Sequence, residues 1–287
     1  MPSKKEQFFT ESQDKIFEIA RKGGQGLAVL LKKLLGKMET ENGTIKNSLK
    51  NRKILSEVLK LIRTYYKSQT SLLSKEIETR LSELVGINIE EFEKQVKKKI
   101  DKQLYTDTIL TDIGFIGSKI KPNSYLDSLL KDSVVSKTIV TTISKAIKAG
   151  FTLADLVKKI TEYFVPKSGL GLIESQLFRN GGYNLYQQQD RILTDTMAED
   201  LNLNYAVYSH TVKNNTRHFC KQRINKIYTR EEIKSWNALQ WSGKNQNIDV
   251  LFSQGGHNCR GSYSWISEET AKRLASTRGG VNSYHKV

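Results

Sequence analysis

Apolar and polar residues alternate along the first 165 residues with the spacing of amphipathic helices. Apolar positions recur about every 3.6 residues, which is the period of one helix face. The segments with this pattern are residues 14–38, 51–66, 69–85, 89–104, 126–149 and 152–164. Glycines at positions 23, 24 and 26 interrupt the first segment and predict that it is split. Residues 109–124 contain two glycines and a proline, which predict a loop or a helical turn.

The pattern changes after about residue 170. A long helix is predicted over residues 170–201, with its weak point at Gly181-Gly182, because two glycines cost roughly 2 kcal/mol relative to alanine. Residues 205–208 form a short β-like run, and residues 260–266 place Tyr and Trp at alternate positions, as strands do. Between them, Thr229 and Glu232 form a capping box that predicts a helix through residue 239. Residue 267 is predicted to cap a final helix.

These elements predict a mainly α protein with a small α+β module at its C-terminal end. In it, a long helix leads into a short-stranded sheet. We expect a helical N-terminal part over residues 1–168, the α+β module over residues 169–275 and a flexible tail over residues 276–287. No repeat of fixed period is visible.

Composition fits a helical globular chain and excludes several other classes of protein. The 287 residues include only three prolines, which break helix interiors, and only two cysteines, too few for a disulfide framework. No run of about 18 apolar residues is present, so a membrane span is not expected. Residues 1–22 lack the apolar stretch and cleavage site of a signal peptide, so we expect synthesis in a cytoplasm.

The positive charge is concentrated towards the C-terminus. The chain carries a net charge of +16 with histidine neutral. Residues 201–287 hold 13 Lys+Arg and 5 Asp+Glu, which makes this part more than twice as densely positive as the rest. Such a surface attracts nucleic acid, because neutralising phosphates releases counterions. A solvated, lysine-rich surface without such a partner is the alternative, and no motif that reads bases is visible.

Both cysteines and all three tryptophans lie between residues 208 and 266. Each cysteine follows a histidine by two residues, in Thr216-Arg-His-Phe-Cys220 and in Gly255-Gly-His-Asn-Cys-Arg260. Between them stand Glu231-Glu-Ile-Lys-Ser-Trp236 and Trp241-Ser-Gly243. In this order the segments resemble the C-terminal domain of phage Mu F-like minor head proteins, also called head morphogenesis proteins, in the form typical of phages of Bacteroidetes-type hosts. The resemblance covers about residues 176–266. Gly261 departs from it, since many relatives have a histidine or cysteine there.

The resemblance implies a virion protein, present in a few copies in the head interior or near the portal. It would act in head morphogenesis and in packaging or delivery of DNA. The implied partners are portal protein or major capsid protein, bound by the helical N-terminal part, and double-stranded DNA, contacted without sequence preference. The candidate phosphate contacts are Lys213, Arg217, Lys221, Arg223, Lys226, Arg230 and Arg260. We expect no enzymatic activity, no cofactor and no membrane contact.

The two His-x-Cys pairs leave three interpretations open. In adjacent strands, His218, Cys220, His257 and Cys259 would offer four zinc ligands, although structural zinc sites usually space paired ligands by two or more residues. A Cys220–Cys259 disulfide would close a loop of about 40 residues, worth roughly 3–4 kcal/mol, and would form only outside a reducing cytoplasm. The interpretation we favour is a pair of reduced cysteines buried in the core.

Two functions outside head assembly remain as alternatives. Cys220 with His218 or His257 has the composition of a nucleophile and its base, and related modules are joined to nuclease or ADP-ribosyltransferase-like domains. No orienting residue or oxyanion feature can be placed beside them, which disfavours a catalytic module. The other alternative is a cytoplasmic DNA-binding protein unrelated to virions.

Overall fold

The computed structural model describes residues 4–131, 133–256 and 259–277. Within these residues, helices dominate and are accompanied by two small hairpins and a three-stranded antiparallel sheet near the C-terminal end. The predicted fold class, mainly α with a small α+β module, is therefore confirmed. The described helices are α1 (Lys4–Leu35), α2 (Leu49–Val96), α3 (Lys102–Ile113), α4 (Tyr125–Leu130), α5 (Ser133–Ala149), α6 (Leu153–Phe164), α7 (Leu172–Arg179), α8 (Leu185–Asp200), α9 (His218–Lys221), α10 (Arg230–Ser235), α11 (Val250–Ser253) and α12 (Glu268–Thr277). The described strands are β1 (Thr40–Glu41), β2 (Thr44–Ile45), β3 (Phe115–Ile116), β4 (Lys119–Ile120), β5 (Tyr205–Ser209), β6 (Ile227–Thr229) and β7 (Ser262–Ile266).

The chain forms two compact units, each built from two separate segments. One comprises Met1–Arg80 and Ile113–Tyr183, and the other comprises Leu81–Asp112 and Asn184–Val287. The predicted boundary at residue 168 does not coincide with this division, because the C-terminal part of α2 and all of α3 belong to the second unit. Most of the predicted flexible tail lies beyond residue 277, outside the described residues.

The first unit places α1 against α6 and α7. The glycines of α1 do not split the helix, contrary to the prediction. A Cβ at Gly26 would be 2.3 Å from the Tyr65 hydroxyl, which is too close, whereas one at Gly24 would be 3.5 Å from the Phe164 ring, an ordinary van der Waals distance. Gly26 is therefore explained by close packing and not by a break in the backbone.

Helix α2 spans residues for which the sequence predicted separate helices. The predicted gaps contain no proline, and Gly86 costs only about 1 kcal/mol in a helix interior, so the backbone continues through them. The predicted extension to residue 104 is wrong. The helix ends at Val96, and Lys97 follows with a positive φ of 51°. The carboxylate of Glu93 accepts a hydrogen bond from the backbone N–H of Ile100 at 3.0 Å, which holds the turn towards α3.

Two other predicted segments also differ from the structure. Residues 109–113 continue α3, and the remainder of the predicted loop contains the hairpin of β3 and β4, with Gly117 at a φ of 56° in its turn. The helix predicted over residues 126–149 is divided into α4 and α5, because Lys131 adopts an extended conformation. Helix α6 begins as predicted, since the Thr152 hydroxyl accepts a hydrogen bond from the N–H of Asp155 at 3.1 Å.

The second unit contains a sheet with the strand order β6-β5-β7, in which both pairs are antiparallel. The strands predicted at residues 205–208 and 260–266 are confirmed as β5 and β7. Ala206 and Tyr208, alternate residues of β5, are fully buried, as expected for a strand with one face on the core. Helix α8 packs on β7. The predicted long helix over residues 170–201 is interrupted at its weak point, where Gly181 has a φ of 97°.

The cap predicted for α10 is also present. The Thr229 hydroxyl accepts from the N–H of Glu232, and the Glu232 carboxylate accepts from the N–H of Thr229. The helix ends at Ser235, and a 3₁₀ turn continues to Ala238. In α12, Ser267 accepts a hydrogen bond from the N–H of Thr270, as the sequence predicted. Among the described residues, no helix has both the length and the apolar character needed to cross a membrane.

Candidate functional site

The sheet of the second unit brings the two cysteines together beside a histidine. His210 directly follows β5, and Cys259 precedes β7, which pairs with β5 up to the contact of Ser209 with Ser262. Cys220 lies in α9, within the connection from β5 to β6. This connection returns to the strand through hydrogen bonds between Tyr208 and the backbone of residues 225 and 226. Three segments that are distant in sequence therefore meet at one end of the sheet.

His210, Cys220 and Cys259 form a compact cluster, which we call the Cys₂His cluster. One side-chain donor atom from each residue lies within 4.8 Å of the others. The two sulfurs are 3.9 Å apart, and both cysteines are free. Cys220 is 1% exposed and Cys259 is 3% exposed, whereas His210 is half-buried. The cluster is accordingly a core feature with one partly accessible member.

Neighbouring groups orient the cluster. The hydroxyl of Tyr208 lies 3.6 Å from the sulfur of Cys259, and the backbone N–H of Gly261 donates to the same sulfur at 3.4 Å. Nδ1 of His210 lies 2.8 Å from the carbonyl oxygen of Thr211. Because a carbonyl can only accept, Nδ1 carries a proton and donates it, and Nε2 is the ring nitrogen that Thr211 does not engage.

The contacts within the cluster shift the pKa values of its three side chains in different directions. The hydrogen bond from Cys220 lowers the pKa of Cys259, against the opposing effect of burial, and contacts with His210 and Arg191 lower it further. The same hydrogen bond raises the pKa of Cys220, and burial adds to that rise. The hydrogen bond to Cys259 raises the pKa of His210. Cys259 is therefore the more acidic thiol of the pair.

Two glycines lie where any side chain would collide with the cysteines or with Tyr208. A Cβ at Gly255 would lie 2.3 Å from the sulfur of Cys220 and 2.9 Å from that of Cys259, so any side chain at this position would collide with both. A Cβ at Gly261 would lie 2.4 Å from the hydroxyl of Tyr208. The glycine at residue 261, where the sequence departs from the Mu F-like pattern, is thus required by the close approach of Tyr208.

Arg191 of α8 holds the loop that carries Cys259, a role that the sequence did not reveal. Its guanidinium donates to the carbonyl oxygens of Phe252 at 3.1 Å and Gly261 at 3.2 Å, and also to that of Cys259. The side chain is buried. An arginine in a helix has no sequence feature that shows whether it binds backbone carbonyls or is an exposed charge. The contact of Arg191 with these carbonyls could therefore not be predicted.

The structure reassigns the predicted zinc ligands. His218 is exposed at the start of α9 and lies outside the cluster, because the first residue of this short helix points to solvent while Phe219 and Cys220 are buried. His257 lies outside the described residues. Among the described residues, the histidine beside the two sulfurs is His210, which the sequence analysis did not select because it is ten residues away from the nearer cysteine.

The predicted phosphate contacts fall into two groups. Lys213, Lys221 and Arg260 are exposed, and Arg217 and Lys226 are half-buried. The guanidinium groups of Arg223 and Arg230 contact other side chains inside the module. The guanidinium of Arg223 stacks on Phe219 at 3.8 Å and on Trp236 at 4.4 Å.

Arg230 is unsuited to contact a phosphate. It is 5% exposed, forms an ion pair with Asp195 and lies over the ring of Trp265 at 4.2 Å. The prediction that Arg230 contacts DNA is wrong, because moving this buried guanidinium to the surface would leave the Asp195 carboxylate buried without its partner.

The aromatic residues of the module form a core and not a stacking platform. Phe219 stacks on Trp241 with ring centroids 3.9 Å apart and meets Trp236 edge to face at 5.6 Å. Trp236 also packs edge to face on Tyr228 of β6. Trp241 donates its indole N–H to the carbonyl of Gly255 at 2.9 Å, which ties this aromatic group to the turn beside the cysteines.

The chain matches no protein-family model, and no curated protein and no solved structure is significantly similar to it.

Proposed function

We propose that this chain is a minor head protein of a phage particle, of the Mu F-like type, and that it acts in head morphogenesis and in holding or delivering DNA. The observation that carries the proposal is the meeting of the two segments on which the resemblance depends. Cys220 of the first segment and Cys259 of the second have their sulfurs 3.9 Å apart in the core of one small module.

The packing of these segments supports a structural role for them. Phe219, Trp236 and Trp241 fill one side of the module, and Gly255 allows the turn to approach both sulfurs. Each of the four segments that carry the resemblance thus supplies at least one residue to this packing. A building block needs such a rigid core, since a particle component must present its surfaces in a fixed geometry.

The burial of the thiols disfavours the catalytic alternative. A nucleophilic cysteine needs access for its substrate, and reactive cysteines occupy partly exposed sites. Cys220 and Cys259 are almost fully buried, so neither sulfur is open to a substrate. If the module were an enzyme that uses Cys220, a Cys220→Ala variant would keep its fold and lose an activity. In a structural module the same variant loses stability.

Contact with DNA is the second part of the proposal and rests on charge. Lys213, Lys221 and Arg260 present exposed cations on a module whose sequence carries a net charge of +8 over residues 201–287. Packaged DNA is a polyanion that can be held through phosphates alone, without reading bases.

We place the portal or capsid contact on the helical N-terminal part, where apolar side chains such as Val29 and Leu49 are exposed.

Retention of linear double-stranded DNA in a native gel tests the DNA part. Retention is expected near 50 mM salt, and affinity should fall by about 10³-fold or more by 200 mM if six or more phosphates are contacted. Absence of any shift at the lower salt concentration would remove DNA contact from the proposal.

Disruption of the gene in the source phage tests the assembly part. Infected cells should then contain aberrant or empty heads, and supply of the intact chain from a plasmid should restore filled heads. A normal yield of filled, infectious particles without the chain would contradict the proposal.

A further inference from the structure

We propose that Cys220, Cys259 and His210 hold one Zn²⁺ ion at the end of the sheet. Two thiolates and one imidazole form a ligand set that zinc uses in proteins, with a small exogenous ligand at the fourth position. The set differs from the four ligands that the His-x-Cys spacing suggested, because it uses the histidine that follows β5 and not the one in α9.

The separation of the donor atoms fits a zinc ion. Zinc binds thiolate at about 2.3 Å, and in a tetrahedral arrangement two such sulfurs are about 3.8 Å apart. The observed separation of the Cys220 and Cys259 sulfurs is 3.9 Å. A disulfide would require this distance to shrink to about 2.05 Å. The three donor atoms lie within 4.8 Å of one another, so closing on an ion requires movements of about 1 Å.

The hydrogen bonds around the donors are those that metal ligands need. A histidine that binds a metal through one ring nitrogen usually donates the other N–H to a carbonyl or carboxylate, which fixes the ring. Nδ1 of His210 makes this bond with Thr211 at 2.8 Å, so Nε2 is the nitrogen that would bind the ion. The backbone N–H of Gly261 donates to the sulfur of Cys259 at 3.4 Å, a contact that stabilises a thiolate.

The backbone near the donors is held in place independently of the ion. Arg191 binds the carbonyl oxygens of Cys259 and Gly261, and Gly255 has no side chain to block the space between the sulfurs. Zinc at this place would link the end of β5, helix α9 and the segment before β7. Because metal binding that requires the folded arrangement adds to folding stability, the ion would act as a staple of the module.

Metal analysis of the purified full-length chain tests the proposal. The protein is expressed in zinc-supplemented medium, purified without oxygen and analysed by inductively coupled plasma mass spectrometry beside a thiol titration. We expect about one zinc per chain, with the two thiols protected from titration until a chelator or a denaturant is added. Replacement of zinc by Co²⁺ should give the intense visible bands of a tetrahedral cobalt–thiolate site.

The decisive variant is His210→Gln, with His218→Gln as its matched control. His210 is half-buried, so its replacement leaves the packing of the two sulfurs in place, whereas a cysteine variant could simply fail to fold. Loss of a ligand should weaken zinc binding by more than about 100-fold, because loss of an outer hydrogen-bond partner alone costs 10–100-fold. The control changes an exposed histidine two residues from Cys220 and should retain zinc.

Three results would overturn the proposal. The first is a folded wild-type chain without zinc and with both thiols free, which would make the cysteines packing residues. The second is a chain without zinc that contains a Cys220–Cys259 disulfide after anaerobic purification. The third is equal zinc content in His210→Gln and wild type, which would exclude His210 as a ligand.

Discussion

The buried ion pair of Arg230 and Asp195 allows a sharp prediction about stability. Arg230 donates to the Asp195 carboxylate through Nη1 and to its backbone carbonyl through Nη2 at 3.3 Å, and its guanidinium lies 4.2 Å from the centre of the Trp265 ring. The side chains of Arg230 and Asp195 are 6% and 10% exposed. An Arg230→Met variant keeps most of the side-chain volume and removes the charge.

The burial of the pair determines how much unfolding free energy the Arg230→Met variant should lose. Breaking a buried pair by removing one partner costs about 3–5 kcal/mol, because the other charge stays buried without compensation. Replacing both partners, as in Asp195→Leu with Arg230→Met, should recover most of the loss, because no unpaired charge remains. An exposed pair would have cost only up to about 1 kcal/mol.

The loss of stability in Arg230→Met should also depend on pH. Burial raises the pKa of Asp195 more than Arg230 lowers it, so the folded state already binds a proton at this carboxyl more readily than the unfolded state does. A raised pKa means that stability is fully present below the unfolded value near 4 and is lost as pH rises through the folded value. Without Arg230 the folded pKa rises further. The deficit of Arg230→Met should therefore grow as pH is raised from about 4 towards neutrality.

Urea unfolding followed by tryptophan fluorescence and far-ultraviolet circular dichroism measures these differences. The midpoints of wild type, both single variants and the double variant give a double-mutant cycle. A loss below about 1 kcal/mol for Arg230→Met near neutral pH, or a double variant that is no better than the single one, would refute the assignment of Arg230 to the core.

Three further predictions concern other parts of the chain. Gly255→Ala should destabilise the module by about 1–3 kcal/mol in the same unfolding assay, because its Cβ would collide with the sulfur of Cys220; an unchanged midpoint would contradict the close approach. The hydroxyl of Tyr125 is buried without a hydrogen-bond partner among the described residues, and burial raises its pKa to about 12. Tyr125→Phe should thus be neutral or slightly stabilising near pH 7, and it should reduce the loss of stability that sets in as pH rises from about 10 to 12, to which Tyr228, with a pKa also raised to about 12, contributes as well. A loss equal to that of wild type would exclude Tyr125 as a contributor. In gel retardation, the slope of log affinity against log salt is negative, and Lys213→Glu and Lys221→Glu should each make it less steep by about 0.9 or more. The same exchange at exposed Lys60 is the control, and slopes equal to wild type would remove Lys213 and Lys221 from the DNA contact.

Much of the fold could be predicted from local signals. The helical caps at Thr152 and Thr229 and the alternating pattern of β7 each involve only neighbouring residues, so the sequence indicated them directly. The weak point at Gly181 was predictable for the same reason. The continuity of α1 was not, because the role of Gly26 depends on the approach of Tyr65 from a distant part of the chain.

The candidate site was predicted only in part. The sequence analysis considered Cys220 and Cys259 as neighbours in adjacent strands; they are neighbours, but Cys220 lies in α9 and not in a strand. It missed His210 and Arg191, because their proximity to the cysteines arises from the pairing of β5 with β7 and from the packing of α8 on β7. It also assigned Arg230 to the surface, since a basic residue in a basic segment has no local feature that indicates burial.

Quantitative mass spectrometry of purified, DNA-filled phage particles tests the central claim most directly. We expect the chain in such particles at a few copies, far fewer than the major capsid protein and comparable to the portal protein. Its absence from particles, with the chain abundant in the lysate of the same infected cells, would contradict the claim that it is a component of the phage head.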